Sequence, residues 1–413
     1  MAKAADVHFI AIARYRLRNL LFPLGIYVFS VSLMFGMAGL IFSSPFVLRE
    51  VIIPTYQDLP PLSGKEAVLL GPWQHWDGMW YLKIATHGYA YEDFSLAFFP
   101  AYPLLIRLVG DVLGTIYLFS AVLISATCYA TGLIFLYKLA RLEGGERFAR
   151  RSVLYLAFFP TAFFFLAVYT ESLFLALSVS AFYFARKGRW TVAGVLGMVA
   201  TLTRSTGLIL VVPFVIEYLS QKRFRLREMG LEVGAILLIP FGAAAYSLYN
   251  WWAFGDPVGF LAAQNHWERH IAFPWDTIRT AVALSLTDSS QMIYPSYSSS
   301  LIWQLLKIGS MPSSNIVDLA FFILTAALLF LGFRRLRAPY TIYAALALLV
   351  PLCDPSQILP LLSTPRFVLV LFPISFVLAQ ATEKRVVHVA VLAVYVVALV
   401  VLTARFAAGY WIA

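Results

Sequence analysis

The chain has 413 residues, of which 61% are hydrophobic and 13% are charged, and its formal net charge is +10. A soluble globular domain carries roughly 25% charged residues. This composition therefore excludes a water-soluble globular protein and fits a protein embedded in a bilayer. The excess of Lys and Arg is interpreted as a signal of membrane topology, and no nucleic acid partner is expected.

Apolar segments, taken in chain order, predict an all-α polytopic membrane protein with about eleven transmembrane helices. The predicted spans are 20–42, 115–139, 152–168, 170–186, 190–204, 206–220, 230–250, 316–333, 339–353, 366–381 and 386–404. Several are short for a hydrocarbon layer of about 30 Å, so tilted or paired short helices are expected. Residues 1–413 are interpreted as a single integral membrane domain.

The basic residues predict how the chain is oriented in the membrane. If the N-terminus is cytoplasmic, 21 of the 31 Lys and Arg residues lie in connections on the cytoplasmic side, as the positive-inside rule requires. The C-terminus is then extracytoplasmic, as are two long segments, 43–114 and 251–315. Connections of this length are usually functional, so the active site is expected there, on short interfacial helices.

The first long segment contains a short helical pattern over residues 77–86, with Asp77 in its first turn. A carboxylate is favoured at that position by the helix dipole. The aromatic residues around it, such as Trp73, Trp76 and Trp80, are typical of a membrane interface. The pattern predicts an interfacial helix that holds Asp77 just above the lipid.

Five sequence blocks carry a resemblance to a known family. The first runs from Trp76-Asp77-Gly78-Met79-Trp80-Tyr81-Leu82-Lys83-Ile84-Ala85 through Gly88-Tyr89 to Phe98-Phe99-Pro100-Ala101-Tyr102-Pro103-Leu104-Leu105; the others are Phe158–Phe164 with Tyr169–Ser172, Leu202–Gly207, Phe254–Pro257 with Gln264 and Trp267, and Pro365–Leu369 before Phe372-Pro373. In this order, over about 300 residues, they resemble the PIG-V family of mannosyltransferases, membrane glycosyltransferases of the GT-C type. The chain is more similar to the short prokaryotic relatives of this family.

The resemblance implies a GT-C-like fold and a sugar donor carried on a polyprenyl monophosphate, typically with mannose as the sugar. It also implies an inverting transfer on the extracytoplasmic face, with an essential acidic residue in the first extracytoplasmic loop. The acceptor of the eukaryotic members is not carried over, so a hydroxyl of a lipid-linked or glycan acceptor is expected. The other partners are membrane lipids, and no metal or other cofactor is firmly implied.

Asp77 is the predicted general base. Inverting transfer needs a carboxylate that accepts the proton of the acceptor hydroxyl as this hydroxyl attacks the anomeric carbon. A prenyl phosphate leaves as an anion, so one carboxylate is sufficient where ordinary glycoside hydrolysis uses two. The alternative is that Asp77 only stabilises the start of its helix.

Three further carboxylates are candidates for substrate binding. Glu92 and Asp93 are adjacent in the first long segment, and either one of them positions the acceptor or a metal, or both form a solvated turn. Glu171 lies between two apolar spans, where a carboxylate is costly unless it is paired. It either lines the sugar cavity or belongs to the outer turn of a helical hairpin.

Arg204 and Arg366 are the predicted ligands of the lipid phosphate, and Lys83 is a weaker candidate. Each arginine interrupts or begins an apolar span, and a buried guanidinium needs an anionic partner. A phosphate held by the planar guanidinium would provide this partner, and so would a salt bridge to Glu171, to Asp354 or to another carboxylate of the protein. Both alternatives remain open from the sequence.

The remaining substrate contacts are predicted in the second long segment and next to Asp77. Gln264, His266 and Trp267 follow a Gly-Asp-Pro turn and are candidates for an acceptor groove, with the indole offering a face to sugar C–H groups. Trp76 is predicted to contact substrate beside the base. No spacing of His, Asp or Glu gives a strong metal signal, and no metal ligands are predicted.

The favoured hypothesis is a glycosyltransferase that moves mannose from a polyprenyl phosphate to a hydroxyl. A transporter or flippase of a lipid-linked or small anionic solute is the alternative, because intramembrane Arg204 and Glu171 would also mark a translocation path. The absence of clear inverted repeats counts against this alternative. A non-catalytic subunit that stabilises a partner transferase is the third possibility.

Overall fold

The computed structural model describes residues 2–44, 62, 64–287, 314–357 and 359–412. Within these ranges all regular secondary structure is helical, except for one antiparallel bridge between Arg269 and Ser356. Parts of the two predicted long loops, residues 45–61 and 288–313, lie outside the described residues.

Sixteen α-helices follow one another along the described ranges. They are α1 Ala2–Phe42, α2 Gly64–Leu70, α3 Asp77–His87, α4 Ala101–Leu113, α5 Tyr117–Ala157, α6 Glu171–Arg186, α7 Trp190–Thr203, α8 Val211–Gln221, α9 Leu238–Phe254, α10 Gly259–Ala262, α11 Pro274–Thr287, α12 Ser314–Gly332, α13 Ala338–Cys353, α14 Thr364–Leu369, α15 Pro373–Ala381 and α16 Arg385–Ala407. Short 3-10 turns connect several of them.

Five helical segments in the described residues are long and apolar enough to cross a membrane. They are Leu20–Phe42, Tyr117–Ala157, Leu231–Phe254, Asn315–Gly332 and Arg385–Ala407. Three shorter apolar helices accompany them, at Trp190–Thr203, Ser205–Gln221 and Ala338–Cys353. The chain is therefore a multi-pass helical membrane protein.

The predicted span 152–168 is wrong. Helix α5 continues to Ala157, interrupted at Gly145, whose φ of 76° is not helical, and the chain then runs irregularly to Thr170 with one 3-10 turn. Pro160 has no N–H to donate and disfavours a helical conformation in the residue before it. Irregular backbone at this depth is tolerated because every residue of the segment 158–170 is buried inside the protein.

The predicted span 366–381 is likewise two short helices, α14 and α15. Helix α14 ends at Leu369, and α15 begins at Pro373. Proline is favoured in the first turn of a helix and interrupts a continuing one. The break leaves Arg366 on a short helix of its own, which matters for the site described below.

The basic connections meet at one end of the helical bundle. Arg186 binds Glu143 at 2.6 Å and Glu217 at 3.0 Å, and Arg337 binds Glu217 at 3.1 Å. Arg151 donates to the backbone carbonyls that end α15. Helix α13 begins at this end and finishes next to Asp354, which lines a cavity at the opposite end.

Close packing of α7 against α9 fixes the position of Arg204, the residue that follows α7. A Cβ on Gly197 would lie 2.7 Å from Ile239, and a Cβ on Gly242 would lie 2.5 Å from the carbonyl oxygen of Met198. Small residues let two helix backbones approach closely inside a membrane. A side chain at Gly242 would therefore push the two helix backbones apart, and one at Gly197 would displace the Ile239 side chain.

Candidate active site

The irregular buried segment 158–170 supports the start of α3. The Val168 N–H donates to the carbonyl of Trp73 at 2.9 Å. The Tyr169 hydroxyl donates to the carbonyl of His75 and accepts from the Asp77 N–H, both at 3.2 Å. These contacts fix the backbone at Trp73, His75 and Asp77, and Asp77 is the first residue of α3.

Trp76, just before Asp77, has a strained backbone, with φ 57° and ψ −120°. A bulky residue in this region costs of order 1–3 kcal/mol and persists only where the surroundings impose it. Here they do, because its neighbours are hydrogen-bonded to Tyr169 and its indole packs edge-on against Trp411 at 5.1 Å. Strain of this kind concentrates at functional sites.

Asp77, Arg366, Glu171 and Arg204 form one continuous chain of ion pairs. Arg366 Nη1 lies 2.5 Å from Asp77 Oδ2, and Arg366 Nε lies 3.2 Å from Glu171 Oε1. Arg204 Nη1 reaches the same Glu171 oxygen at 2.6 Å. Two carboxylates and two guanidinium groups balance in charge, which reduces the cost of burying each of them.

The two arginines are also packed against aromatic faces. Arg366 lies 5.3 Å from the centre of the Tyr169 ring, and Arg204 lies 5.3 Å from that of Phe367. A guanidinium gains electrostatic attraction from such a face and loses little hydration there. These contacts add to the ion pairs in fixing both side chains.

Two carboxylate oxygens at this site accept no hydrogen bond from the described residues. The hydrogen bond described at the Asp77 carboxylate goes to Oδ2, and Oδ1 accepts none from the described residues. Glu171 is 1% exposed, and its Oε2 has no hydrogen-bond partner among the described residues. A buried acceptor without a donor is costly, so Glu171 Oε2 is suited to a substrate hydroxyl or a water molecule.

These groups line a cavity of about 240 Å³. Of the site residues predicted from the sequence, the cavity lining includes Asp77, Glu171, Arg204, Gln264, Trp267 and Arg366. They come from segments separated by up to 289 positions in the sequence. The structure therefore brings together residues from all the blocks that were singled out, in a lining that also contains apolar and aromatic side chains.

The other predicted site residues lie outside this lining. Lys83 pairs with Asp93, whose Oδ1 also accepts from the Ser95 N–H at 2.9 Å. His266 stacks on Phe94 with ring centres 4.4 Å apart. Trp76 and Glu92 do not contribute either, since Trp76 packs against Trp411 and Glu92 is exposed in a turn. The aromatic residues expected at a lipid interface are instead largely buried in protein, with Trp73 at 0% and Trp80 at 8% exposure.

Arg269 is a cavity residue that the sequence reasoning missed. Its Nη1 donates to the backbone carbonyl of Asp354 at 2.9 Å, while the Asp354 carboxylate lies 3.7 Å away and is 42% exposed. Burial lowers the pKa of Arg269, Asp354 opposes this change, and the nearby Arg366 adds to it. Its guanidinium is therefore the least compensated of the three arginines that line the cavity.

The backbone around Arg269 is rigidly placed. His270 N–H donates to Pro355 O at 3.1 Å and Gln357 N–H donates to Glu268 O at 3.2 Å, on either side of the bridge between Arg269 and Ser356. The available sequence signal was a cation immediately after the Gln264–Trp267 block. Nothing in the sequence pairs this cation with residues 353–357.

The described residues contain no group of three or more His, Cys, Asp or Glu side chains placed to hold a metal ion. Acidic residues at the cavity are instead interleaved with arginines. The chemistry that this arrangement supports is proton acceptance by a carboxylate beside a site for an anion.

His75 makes the folding stability of the chain depend on pH. Burial lowers the pKa of His75 from 6.5 to about 4, and a hydrogen bond with the backbone of Ala407 opposes this. The unfolded chain therefore binds a proton below pH 6.5 that the folded chain does not bind until pH 4. Folding stability should fall through this window, by about 2 kcal/mol at pH 5.

The thermal unfolding midpoint in detergent, at pH 7 and at pH 5, measures this contribution. His75→Asn cannot titrate and keeps a donor for Ala407, so its midpoint should fall less between the two pH values than that of the wild type. Equal falls in the two proteins would show that His75 is not the group responsible.

Residues 63–229 match the family model for the PIG-V mannosyltransferases, described as "Mannosyltransferase (PIG-V)". The matched segment contains Asp77, Glu171 and Arg204, and it ends before the blocks with Gln264 and Arg366. The resemblance inferred from the sequence is confirmed for this segment.

Part of the chain is also similar in sequence to curated mannosyltransferases. GPI alpha-1,6-mannosyltransferase 2 of Homo sapiens is 35% identical over 151 residues, which are 34% of this chain and 30% of that protein. GPI mannosyltransferase 2 of Yarrowia lipolytica is 27% identical over 159 residues, which are 38% of this chain and 44% of that protein. The chain thus spans less than half the length of these relatives.

Among solved structures, ArnT from Cupriavidus metallidurans bound to undecaprenyl phosphate is 16% identical. The overlay covers 80% of this chain and 72% of that one, with a TM-score of 0.38.

Proposed function

We propose that this chain, as a relative of the PIG-V mannosyltransferases, is an inverting glycosyltransferase that moves mannose from a polyprenyl monophosphate to a hydroxyl of a lipid-linked or glycan acceptor. The observation that carries the proposal is that Asp77 lines a cavity of about 240 Å³ and that its Oδ1 accepts no hydrogen bond from the described residues. This carboxylate lies inside the segment that matches the family model.

In the proposed reaction the acceptor hydroxyl donates its proton to Asp77 Oδ1 as its oxygen attacks the anomeric carbon. The bond between that carbon and the phosphate oxygen breaks, and its electron pair leaves with the prenyl phosphate. Arg366 holds the other carboxylate oxygen at 2.5 Å and so orients the base. Glu171 Oε2, buried and without a partner among the described residues, is suited to accept a hydrogen bond from a sugar or acceptor hydroxyl.

Arg269 supports phosphate binding beside the two arginines expected for it. Arg204 and Arg366 already hold carboxylates at 2.6 Å and 2.5 Å, whereas the nearest carboxylate to Arg269 is 3.7 Å away. A phosphate in the cavity would be drawn to the least compensated guanidinium. The charges of Arg204 and Arg366 are balanced by Glu171 and Asp77, so these two arginines would bind the phosphate directly only after a rearrangement of their ion pairs.

Arg269→Gln should raise the KM for the donor about ten- to a hundredfold, because a hydrogen bond to a charged group contributes about 1.5–3 kcal/mol. The KM for the acceptor should change little. Steady-state kinetics with each substrate varied in turn measure both constants. Arg279→Gln, an exposed arginine of α11, is the matched control, and an effect of equal size there would contradict a specific role for Arg269.

The finer topology belongs to the same proposal. It comprises a cytoplasmic N-terminus and an active site built from the extracytoplasmic segments 43–114 and 251–315. The ion pairs that join the basic connections at one end of the bundle, away from the cavity, support this orientation.

Transfer of label from radiolabelled polyprenyl-phosphate mannose tests the function, with purified protein in detergent and a membrane lipid extract as the source of acceptor. A new mannosylated product is the expected result. Donor left intact, with no product at any protein concentration, would overturn the proposal and favour the transporter alternative.

A further inference from the structure

The segment that follows α16 is capped in a fixed conformation. Gly409, just past the end of the helix, has φ 93°, a left-handed conformation that glycine adopts without a steric cost. The Gly409 N–H donates to the carbonyl of Phe406 at 2.9 Å, and the Tyr410 N–H donates to that of Arg405 at 3.0 Å. Together these bonds form a Schellman motif, which ends a helix and satisfies its last carbonyl groups. The motif therefore fixes the direction in which the chain continues to Trp411.

Side chains on both sides of this cap pack into the protein. Ile412 is buried. Phe406, in the last turn of α16, lies 5.7 Å from His75 and 6.3 Å from Tyr169, measured between ring centres. The Tyr169 hydroxyl is in turn bonded to the backbone of His75 and of Asp77. The end of α16 is thus packed directly against the residues that support the proposed base.

Trp411 lies at the cavity, close to this base. It is one of the residues that line the cavity, and its indole meets that of Trp76 with ring centres 5.1 Å apart and an angle of 83° between the rings. Trp76 immediately precedes Asp77. Trp411 belongs to none of the sequence blocks that carry the family resemblance, and the match to the family model ends at residue 229. Neither of them therefore gives Trp411 a role.

A second indole of the lining is placed in a similar way. Trp267 also lines the cavity, and it packs against Trp80 with ring centres 6.0 Å apart and an angle of 63°. Trp80 lies at the end of the first turn of α3, whereas Trp76 is the residue before this helix. The two indoles of the lining are thus each supported by a tryptophan of the same short segment, and these two tryptophans flank Asp77 in the sequence.

Indole rings suit the binding of a sugar. The faces of a pyranose ring carry C–H groups, which gain apolar contact and are attracted to the negative face of an aromatic ring. An indole is large and has only two rotatable side-chain bonds, so ordering it costs little conformational entropy. The hydroxyl groups of the sugar need polar partners, and the same lining offers Glu171 and Arg269.

We propose that Trp411 is a sugar-contacting residue of this cavity, which together with Trp267 favours the binding of a pyranose beside the base. The pyranose is either the mannose of the donor or a sugar of the acceptor, because both substrates meet at Asp77 during the proposed transfer. The inference rests on the proposed function for the identity of the two substrates. The contact itself can be measured without any transfer.

Two lipids separate a sugar contact from the other roles of Trp411. Polyprenyl-phosphate mannose and polyprenyl phosphate without a sugar are each titrated against the full chain in detergent. Trp411→Ala should weaken the binding of the first lipid about five- to fiftyfold, because an apolar and an aromatic contact are lost. Binding of the second lipid should stay within about twofold. If Trp411 contacts a sugar of the acceptor instead, both lipids should bind as they do to the wild type, and the KM for the acceptor should rise by a similar factor.

Conservative variants test whether the flat ring is what matters. Trp411→Phe keeps an aromatic face and should bind polyprenyl-phosphate mannose within about twofold of the wild type. Trp411→Leu keeps an apolar side chain against Trp76 but has no such face, so it should bind this lipid at least about fivefold more weakly. The leucine variant replaces Trp411→Ala if the latter does not fold. Trp252→Ala is the matched control, because Trp252 is an indole of α9 that is 80% exposed and does not line the cavity.

A purely structural role predicts a different result. If Trp411 only supports Trp76, Trp411→Ala should lower kcat while the relative affinity for the two lipids and the KM for the acceptor stay unchanged, and this result would overturn the inference. Equal weakening of both lipids, or the same loss in Trp252→Ala, would also overturn it. If wild-type protein binds the lipids but transfers no mannose, the proposed function fails, while the comparison of the two lipids still decides the role of Trp411. Wild-type protein that binds neither lipid would overturn both.

Discussion

Asp77→Asn is expected to reduce mannosyl transfer about a hundred- to ten-thousandfold, the range that a positioned general base contributes. The amide is isosteric with the carboxylate, and its oxygen can still accept from Arg366, which lies 2.5 Å from Asp77. It cannot accept the proton of the acceptor hydroxyl. The loss should therefore fall on kcat, with donor binding retained.

The measurement is the initial rate of label transfer, normalised to folded protein, together with donor affinity from a binding titration. Asp111→Asn is the matched control, because Asp111 also pairs with an arginine, Arg107 at 3.8 Å, and is 56% exposed away from the cavity. Its rate should equal that of the wild type. A variant of Asp77 that kept more than about a tenth of the wild-type rate would require another base.

Much of this site was predictable from the sequence because its chemistry is local. Asp77 stands at the start of a helical pattern beside aromatic residues, and α3 does begin at this residue. Glu171, Arg204 and Arg366 attract attention individually, since charged residues in apolar segments are costly and need partners. Residue types and local periodicity are enough for that step.

The pairing among these residues was not predictable. The sequence leaves open whether each arginine binds a phosphate or a protein carboxylate, and nothing in it pairs Arg366 with Asp77. The partners lie 289 positions apart, and their meeting depends on how α14 and α3 pack. Arg269 was missed for the same reason, because only the bridge to residues 353–357 brings it to the cavity.

The errors in the fold have one physical origin. Apolar content predicts burial, but it does not distinguish a membrane-spanning helix from irregular chain buried inside the protein. The segment 158–170 is apolar and fully buried yet mostly not helical. Each of the two predicted spans that the structure corrects contains a proline near the break, Pro160 in 152–168 and Pro373 in 366–381. Proline was thus a better guide to these boundaries than hydropathy.

Glu171→Leu is expected to produce the largest loss of stability at the site. Glu171 is 1% exposed, and one of its oxygens binds Arg204 at 2.6 Å and Arg366 at 3.2 Å. Its removal takes from Arg204 the carboxylate that compensates its charge. Breaking a buried ion pair on one side costs about 3–5 kcal/mol, which should appear as a large fall in the thermal unfolding midpoint in detergent.

Replacing both partners should restore most of that stability. Glu171→Leu combined with Arg204→Met removes the uncompensated guanidinium, and an apolar pair of similar volume is often as stable as the ion pair that it replaces. The transfer rate should not return, because the cavity has lost the buried acceptor at Glu171 Oε2. A double variant that regained both stability and rate would show that Glu171 is purely structural.

Glu217→Leu is the control that separates stability from chemistry. Glu217 is also 1% exposed and also binds two arginines, Arg186 and Arg337, but it lies at the other end of the bundle. It should lose a comparable amount of stability, while the folded fraction keeps its transfer rate. The contrast between two equally buried carboxylates, each shared by two guanidinium groups, assigns any loss of rate at Glu171 to the cavity that it lines.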